Sequence, residues 1–384
     1  MNGLKELIKR NRIWKRYRVR KWIRYSRRMM FSAKEVARLE KDPSKIRNAV
    51  YSHVKSNPYA STCPEDLDRL LERSYLAGSG AINDALKTDM LFWYFAYGFS
   101  FNEYLCYRFY EKTKEERLKF FSDRDSVALG YNLNDIDDMM VFGDKMNTYN
   151  MFRDYFGREA ISLESERDYN SFVDFVRKHR RFVKKDVLKA CGESVQMIDA
   201  DSDGRSEREL FEYLMSEGKV ILEEVVRQHE CTAVFNASSV NTIRCITVAT
   251  KNNDVLVPYC FMRTGRDGAF IDNGFAGGLF VGVDPETGTL GTDGVVENGV
   301  RYSVHPDSKV PFKGYPLPEW DKMISMCKEM ALKTPTVRMI GWDTAYTDKG
   351  WVVIEGNALT EVIGPQCTWL KGIRSEIKDL LTKI

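Results

Sequence analysis

The run from Met339 to Ala358, MIGWDTAYTDKGWVVIEGNA, sets an Asp, a Glu and an Asn into two strand-like stretches otherwise made of Ile, Trp, Val and Tyr. A carboxylate among such side chains is costly to bury unless a positive charge meets it. Ile340 to Thr347 and Trp351 to Asn357 are rich in β-branched and aromatic residues, and Asp348-Lys349-Gly350 between them is a turn signal, so the segment reads as a hairpin. A three-residue loop at 348 to 350 puts Asp343 opposite Glu355, and Asn357, two residues on, shares the face of Glu355. Oxygen donors then converge on one patch of the kind that suits magnesium, which takes the rest of its shell from water and a nucleotide's phosphates. The alternative is an ordinary hairpin with polar residues on its solvent face. The hairpin alone leaves both readings open.

A chain of 384 residues exceeds one ordinary hydrophobic core, so two or three subdomains are expected. Its eight cysteines are scattered singly with no CxxC pair, a pattern of reduced thiols in a cytoplasmic protein rather than of disulfides or structural zinc. The longest apolar run, LFWYFAYGF at 91 to 99, is well short of the roughly 20 residues a membrane span needs. No signal-peptide pattern stands at the N-terminus. Net charge is only +3, but residues 1 to 30 carry 12 Lys and Arg against one Glu, which leaves a net of −8 on the remainder. Trp14, Tyr17, Trp22, Ile23 and Tyr25 interleave with that charge. The segment therefore reads either as a basic amphipathic element for an anionic membrane surface or other polyanion, at the inner face of the membrane, or as a solvated or packing arm. No nucleic-acid-binding motif accompanies it.

Apolar residues at three- and four-residue spacing in SAKEVARLEKD, CPEDLDRLLERSYLAG and NEYLCYRFYEKTKEERLKFFSDRDS predict a helical domain over 32 to 141, with the aromatic cluster from Phe92 to Tyr110 as its core. From Asp144 strands and helices alternate. HRRFVKKDVLKACGESVQMI reads as a strand ending in Lys184 and Lys185, a loop with Gly192, and another strand. GKVILEEVVRQHE reads as a strand running into Glu223 and Glu224, and NTIRCITVAT, DVLVPYCFMRTG and GAFIDNGFAGGLFVGVD continue the strand-rich pattern.

These pieces, in this order, resemble an ATP-grasp enzyme, and the whole chain resembles the branch called sugar-transfer-associated ATP-grasp. The strings that carry the closer likeness are SSVNTIRCITVAT, HPDSKVPFKGYPLPEWDKM and IGWDTAYTDKGWVVIEGNA. The resemblance implies an α+β fold in which two α+β subdomains, 142 to 226 and 227 to 384, clamp ATP behind the helical region and an arm at 1 to 31. It also implies roles residue by residue. Lys145 and Lys184 would reach phosphates, and Glu223, Glu224 and Val226 would form the adenine hinge. Arg244 and Arg263 would face the transferring phosphoryl group, with Lys184, as catalytic residues. Asn273, Gly277 and Gly278 would line the nucleotide, and Asp343, Glu355 and Asn357 would hold magnesium. Arginines suit developing negative charge, and glycines allow the backbone to approach phosphate closely.

The chain departs from the pattern where Lys185 rather than Pro follows Lys184, so either lysine can be the one facing the cleft, neighbouring strand positions pointing opposite ways. With only Gly192 in the loop after them, Lys189 is a further phosphate candidate. Cys191 has no His near it in sequence and reads as a bystander thiol. His305 is either structural or a residue facing the acceptor substrate. The implied activity is an ATP- and Mg2+-dependent carboxylate–amine ligase working through an acyl phosphate on building blocks of surface glycans. Phosphotransfer to a small molecule or sugar, and a non-catalytic nucleotide-binding module, are the alternatives.

Overall fold

The computed structural model describes residues 28–186, 195–216, 218–268 and 277–384. The basic segment through residue 27, with Lys189, Cys191 and Asn273, lies outside these residues. Helices fill the N-terminal part, at Ala33–Lys41, Ile46–Ser56, Cys63–Leu71, Asp84–Tyr97 and Phe101–Cys106. Their ends follow local chemistry. Ser32, Asn83 and Ser100 are N-caps whose side chains accept from the N–H groups of Glu35, Leu86 and Glu103. Gly98 closes the fourth helix at φ +78°, a conformation that favours glycine. That helix is apolar on nearly every side and sits at the centre, with Trp93 stacked on Tyr97 at 4.4 Å and edge-on to Phe109 at 5.4 Å. Most of the Phe92–Tyr110 aromatics are thus core, as expected, while Tyr110 at the end of the cluster is exposed.

The α+β expectation holds, with two antiparallel sheets behind the helices. The smaller runs in the order β1-β4-β2-β3, with β1 at Ala160–Leu163, β2 at Arg181–Asp186, β3 at Gln196–Asp199 and β4 at Val220–Glu224. One face packs Leu163, Phe182, Val220 and Leu222 against the helices Tyr169–Lys178 and Glu207–Ser216. The larger sheet runs β11-β10-β5-β6-β7-β8-β9: β5 Thr242–Ala249, β6 Val255–Thr264, β7 Leu279–Val283, β8 Gly294–Val295, β9 Arg301–Tyr302, β10 Met339–Thr347 and β11 Gly350–Asn357. Covered on both faces, β5 is buried at every position. Cys245, Cys260 and Met262 face the helix Trp320–Lys333, while Ile246, Val248, Phe261 and Phe280 belong to one core with the N-terminal helices.

The β10–β11 hairpin departs from the expected three-residue loop. Thr347 pairs with Gly350, which sits at φ +98°, and the outer register, continued inward, would bring Ile354 opposite Asp343. A one-residue bulge intervenes: Thr344 pairs with Val353, and Asp343 with Glu355. The predicted Asp343–Glu355 pair therefore forms by a tighter turn plus an extra residue, Ile354, in β11.

The N-terminal helices pack on the large sheet by apolar contact and are joined to the C-terminal helices Ile363–Trp369 and Arg374–Leu381 by close backbone approaches. The Gln366 side chain accepts from Phe121 N at 2.8 Å and donates to Phe121 O at 2.7 Å, and Arg374 Nε donates to the carbonyls of Leu118 and Phe120. A Cβ on Gly372 would meet the Lys119 carbonyl and lie 2.6 Å from Phe120 N, with only backbone to yield. Gly372→Ala is therefore expected to lower stability by at least about 1–3 kcal/mol in urea denaturation. Gly143→Ala, whose added carbon meets nothing nearer than 3.5 Å, is expected to stay close to wild type.

Candidate functional site

At the centre of the site is Asp343, wholly buried on β10 between Arg244 on β5 and Glu355 on β11. Arg244 grips it with two nitrogens, Nε to Oδ1 and Nη2 to Oδ2, the latter at 2.9 Å. Arg263, from β6, reaches Oδ2 with Nη2 at 2.6 Å and also donates to the Thr242 hydroxyl at 3.0 and 3.1 Å. Burial alone would raise the Asp343 pKa, but the guanidinium charges of Arg244 and then Arg263 override it and hold the carboxyl below its usual range. Glu355 moves the opposite way, pushed up by burial and by the Asp343 charge beside it. Asn357 completes the patch, its Nδ2 donating to Glu355 Oε1 at 3.2 Å. Thr360 stands at its edge, 3.4 Å from Arg244 Nη1, and Glu361 follows with its pKa raised by burial against the pull of both arginines.

Two carboxylates and an amide fit a divalent cation that draws its remaining ligands from water and substrate oxygens, rather than one held in an all-protein cage. Among the described residues there is no group of three or more His, Cys, Asp or Glu suited to a metal. Were the hairpin to hold a cation, Asp343, Glu355 and Asn357 would be the residues placed to do so.

The facing wall comes from the small sheet. The structure separates the two adjacent lysines of β2. Lys184 shares its face with Phe182 and stands opposite Leu222, on the side packed by helices, 4% exposed, with Nζ 3.8 Å from Asp186 Oδ1. Lys185 projects from the other face and donates to Glu223 Oε2 at 2.9 Å. Glu223 also receives Arg158 Nε at 2.8 Å; burial opposes its ionisation, but Arg158 and then Lys185 bring its pKa down to about 2. Lys145 opens the helix Lys145–Phe156 just after the N-cap Asp144, and its Nζ donates to Asp186 O at 3.3 Å. Burial lowers its pKa, and the charges acting on it, Glu355, Lys185, Glu223 and Asp186, come from both sheets. Lys145 thus lies within electrostatic reach of charges on both sheets.

The remaining candidates fall at different distances from this centre. Glu224 leaves β4 with its Oε2 accepting from Glu159 N at 3.1 Å, and Val226 follows, half-buried, in the segment beyond the strand. Gly277, at φ +91°, offers its carbonyl to Arg266 Nε at 2.6 Å, and Gly278 leads into β7 beside the end of β6 that carries Arg263. Asn273 is outside the described residues. His305 is fully buried, with Nε2 2.9 Å from Gly265 O and Nδ1 accepting from Asp307 N, so its ring nitrogens serve a turn. Arg158, Thr242, Thr360 and Glu361 had no signal as site residues in the sequence. For Arg158 the one available hint was a charged residue directly after the helix-ending Gly157 and just before a strand.

A family model described as sugar-transfer associated ATP-grasp matches residues 125–381. No curated protein matches the chain in sequence. Among solved structures, the ATP-grasp ligase PsnB, complexed with a phosphomimetic variant of its minimal precursor, Mg and ADP, is 15% identical, covering 65% of this chain and 61% of its own, with a TM-score of 0.40. N5-carboxyaminoimidazole synthetase from Staphylococcus aureus, complexed with ADP, is 8% identical over 64% and 53%, TM-score 0.39. The D-alanine-D-alanine ligase from Coxiella burnetii is 10% identical over 67% and 64%, TM-score 0.38. The chain spans less than two thirds of the length of each.

Removing the central charge has a definite cost. Asp343→Asn leaves two guanidinium groups against a neutral amide, where breaking a buried pair costs on the order of 3–5 kcal/mol. Arg244 and Arg263 keep 9% and 15% of their side chains exposed. The loss expected in urea denaturation therefore falls toward the lower end of that range, and a change under about 0.5 kcal/mol would contradict the ion-pair reading.

Proposed function

The chain belongs to the sugar-transfer associated ATP-grasp family, and from that premise we propose that it is an ATP-dependent carboxylate–amine ligase. The observation that carries the reading is the convergence of Asp343, Glu355 and Asn357 with Arg244 and Arg263 on one wall, opposite Lys145 and Lys185 on the other. Cations on both sides of a cleft suit a polyphosphate, and a carboxylate pair at its floor suits the divalent ion that accompanies one. Asp343, Glu355 and Asn357 would hold a magnesium ion, whose chemistry would be to withdraw negative charge from the transferring phosphoryl group.

In the proposed reaction a substrate carboxylate attacks the γ-phosphorus and ADP departs, leaving an acyl phosphate. An amine then attacks the acyl carbon, phosphate leaves with the C–O bonding pair, and the nitrogen loses a proton to give the amide. Lys145 and Lys185 are the lysines assigned to the nucleotide's phosphates; Lys184, on the packed face, supports β2 from behind. Arg244 and Arg263 are assigned to the transferring group and to the oxyanion of the acyl phosphate, the electrostatic stabilisation that commonly dominates such catalysis. Glu224 and Val226, at the exit of β4, are assigned to the adenine, with Gly277 and Gly278 near the phosphates. The carboxylate and amine are assigned to surface-glycan building blocks, uronic and amino acids among them, on the strength of the family's association with sugar transfer.

The test is turnover of Mg-ATP with a panel of uronic acids and amino acids, with ADP, phosphate and products followed by mass spectrometry. An amide with stoichiometric ADP and phosphate is the expected result. A phosphorylated acceptor without free phosphate would replace the ligase reading with phosphotransfer, and nucleotide binding without turnover would replace it with a binding module. Lys185→Met is expected to weaken ATP binding roughly tenfold or more, as loss of a charge-assisted contact of about 1.5–3 kcal/mol implies. Glu355→Gln is expected to abolish turnover while leaving the fold intact.

A further inference from the structure

Arg158 is almost wholly enclosed, its side chain 3% exposed, and it touches both sheets. Its Nη1 donates to Val353 O at 2.6 Å and its Nη2 to Ile354 O at 3.0 Å, while Nε reaches Glu223 on β4 at 2.8 Å. Ile354 is the extra residue of the β11 bulge, the one without a ladder partner opposite it on β10. A bulge leaves its extra residue outside the regular ladder, and a buried carbonyl there needs another donor. The guanidinium supplies that donor and brackets the bulge at two successive carbonyls.

The helix before it fixes where this happens. Gly157, at φ +59°, ends Lys145–Phe156 so close to β11 that a Cβ would lie 2.6 Å from Val352 Cγ1. The chain therefore delivers Arg158 against the strand at the two residues preceding Glu355. Without the bulge, Ile354 rather than Glu355 would oppose Asp343. A slip of one residue moves every side chain beyond it to the other face of the strand.

We infer that Arg158 is a positioning residue for the metal floor: it holds the bulge at Ile354 and so keeps Glu355 and Asn357 on the face of Asp343. The inference rests on the magnesium role proposed for that floor and extends it to a residue outside the cleft. The planar fork of arginine is what the geometry requires, since two carbonyls and a carboxylate are met in one plane of donors. The ammonium of lysine is a point donor on a flexible stem and does not reproduce the fork. Glu223 keeps its bond to Lys185 when Arg158 is replaced, so the phosphate wall and the metal floor separate experimentally.

The experiment measures Mn2+ binding by electron paramagnetic resonance in the ADP complex of the full chain, alongside ADP binding in EDTA. In Arg158→Lys and Arg158→Ala the Mn2+ affinity is expected to fall by roughly 10- to 100-fold, the range for loss of a partner that orients metal ligands. Metal-free ADP affinity is expected to stay within about threefold, and ethylguanidinium is expected to restore Mn2+ binding to Arg158→Ala but not to Arg158→Lys. Wild-type Mn2+ affinity in the folded variants, whatever their melting temperature, would show Arg158 to be a structural strut only and overturn the inference. In a chain lacking Ile354, Glu355 follows Val353 and meets Asp343 with no bulge to hold, so Arg158→Ala is expected to cost no Mn2+ affinity in that background, and a roughly tenfold or greater loss there would overturn the inference. Wild-type protein that binds ADP but no Mn2+ would instead refute the magnesium floor itself, and the inference with it.

Discussion

The wholly buried carboxylate of Asp343 is the interaction on which the rest of the site depends. Water does not reach it, and an isolated charge in that position would neutralise or unfold its surroundings. Two guanidinium groups keep it ionised, and each comes from a different strand of the same sheet. Arg244 stands directly across from it on β5, and Arg263 reaches over from β6. The ion cluster thus spans three adjacent strands, and a slip of any of them would leave a charge buried without its partner. Replacing such a cluster with apolar residues often leaves stability unchanged or improved, so stability alone is a weak reason for its presence. A function that needs this charge at this place is the better reason.

The helices before the sheets hold that floor in place. Asn134, at the end of the helix Asp123–Leu133, donates to Met339 O and Ala358 O and accepts from Met339 N, so one buried amide ties the start of β10 to the exit of β11. Ser126, in the same helix, donates to Thr360 O at 2.8 Å and so holds the residue that touches Arg244. The family match begins at residue 125, yet helices before it enter the same core as β5, β6 and β7 and make backbone approaches to the C-terminal segment. The helical part is therefore continuous in packing with the sheet that carries the carboxylates.

Much of this was legible in the chain itself, and the misses share one physical cause. Hydrophobic alternation and turn residues located β2, β4, β5, β6 and the hairpin, and the cost of a buried Asp pointed to Asp343 and Glu355. What periodicity does not encode is a single-residue displacement. The tight turn at Thr347–Gly350 and the bulge at Ile354 offset one another, so the right pair emerged from the wrong loop. The choice between Lys184 and Lys185 is the same problem, because adjacent strand residues differ only in which face they take. The pairing of Lys184 with Leu222 puts its side chain in the packed layer and that of Lys185 on the other face, through a contact 38 residues away in sequence that no local pattern carries. Arg158 was hidden for a related reason: its meaning lies in carbonyl groups nearly two hundred residues distant. His305, legible only as a lone histidine, proved to be spent on backbone groups.

Both walls of the cleft are internally neutralised as they stand. On the large sheet Arg244 and Arg263 are held by Asp343, and on the small sheet Lys185 is held by Glu223, which the enclosed Arg158 also meets. Under the proposed reading, a polyanion entering between the sheets competes with these carboxylates for their cations. A metal held by Asp343 and Glu355 would supply positive charge to those carboxylates alongside the arginines and would leave guanidinium charge available for phosphate. Neither partner gains as much alone. A phosphate without the metal would leave Asp343 buried and unpaired as it drew the arginines away, and a metal without phosphate would leave two guanidinium groups crowded against a new positive charge. Under the proposed reading, the same geometry that stabilises the ion cluster favours arrival of nucleotide and cation as a unit.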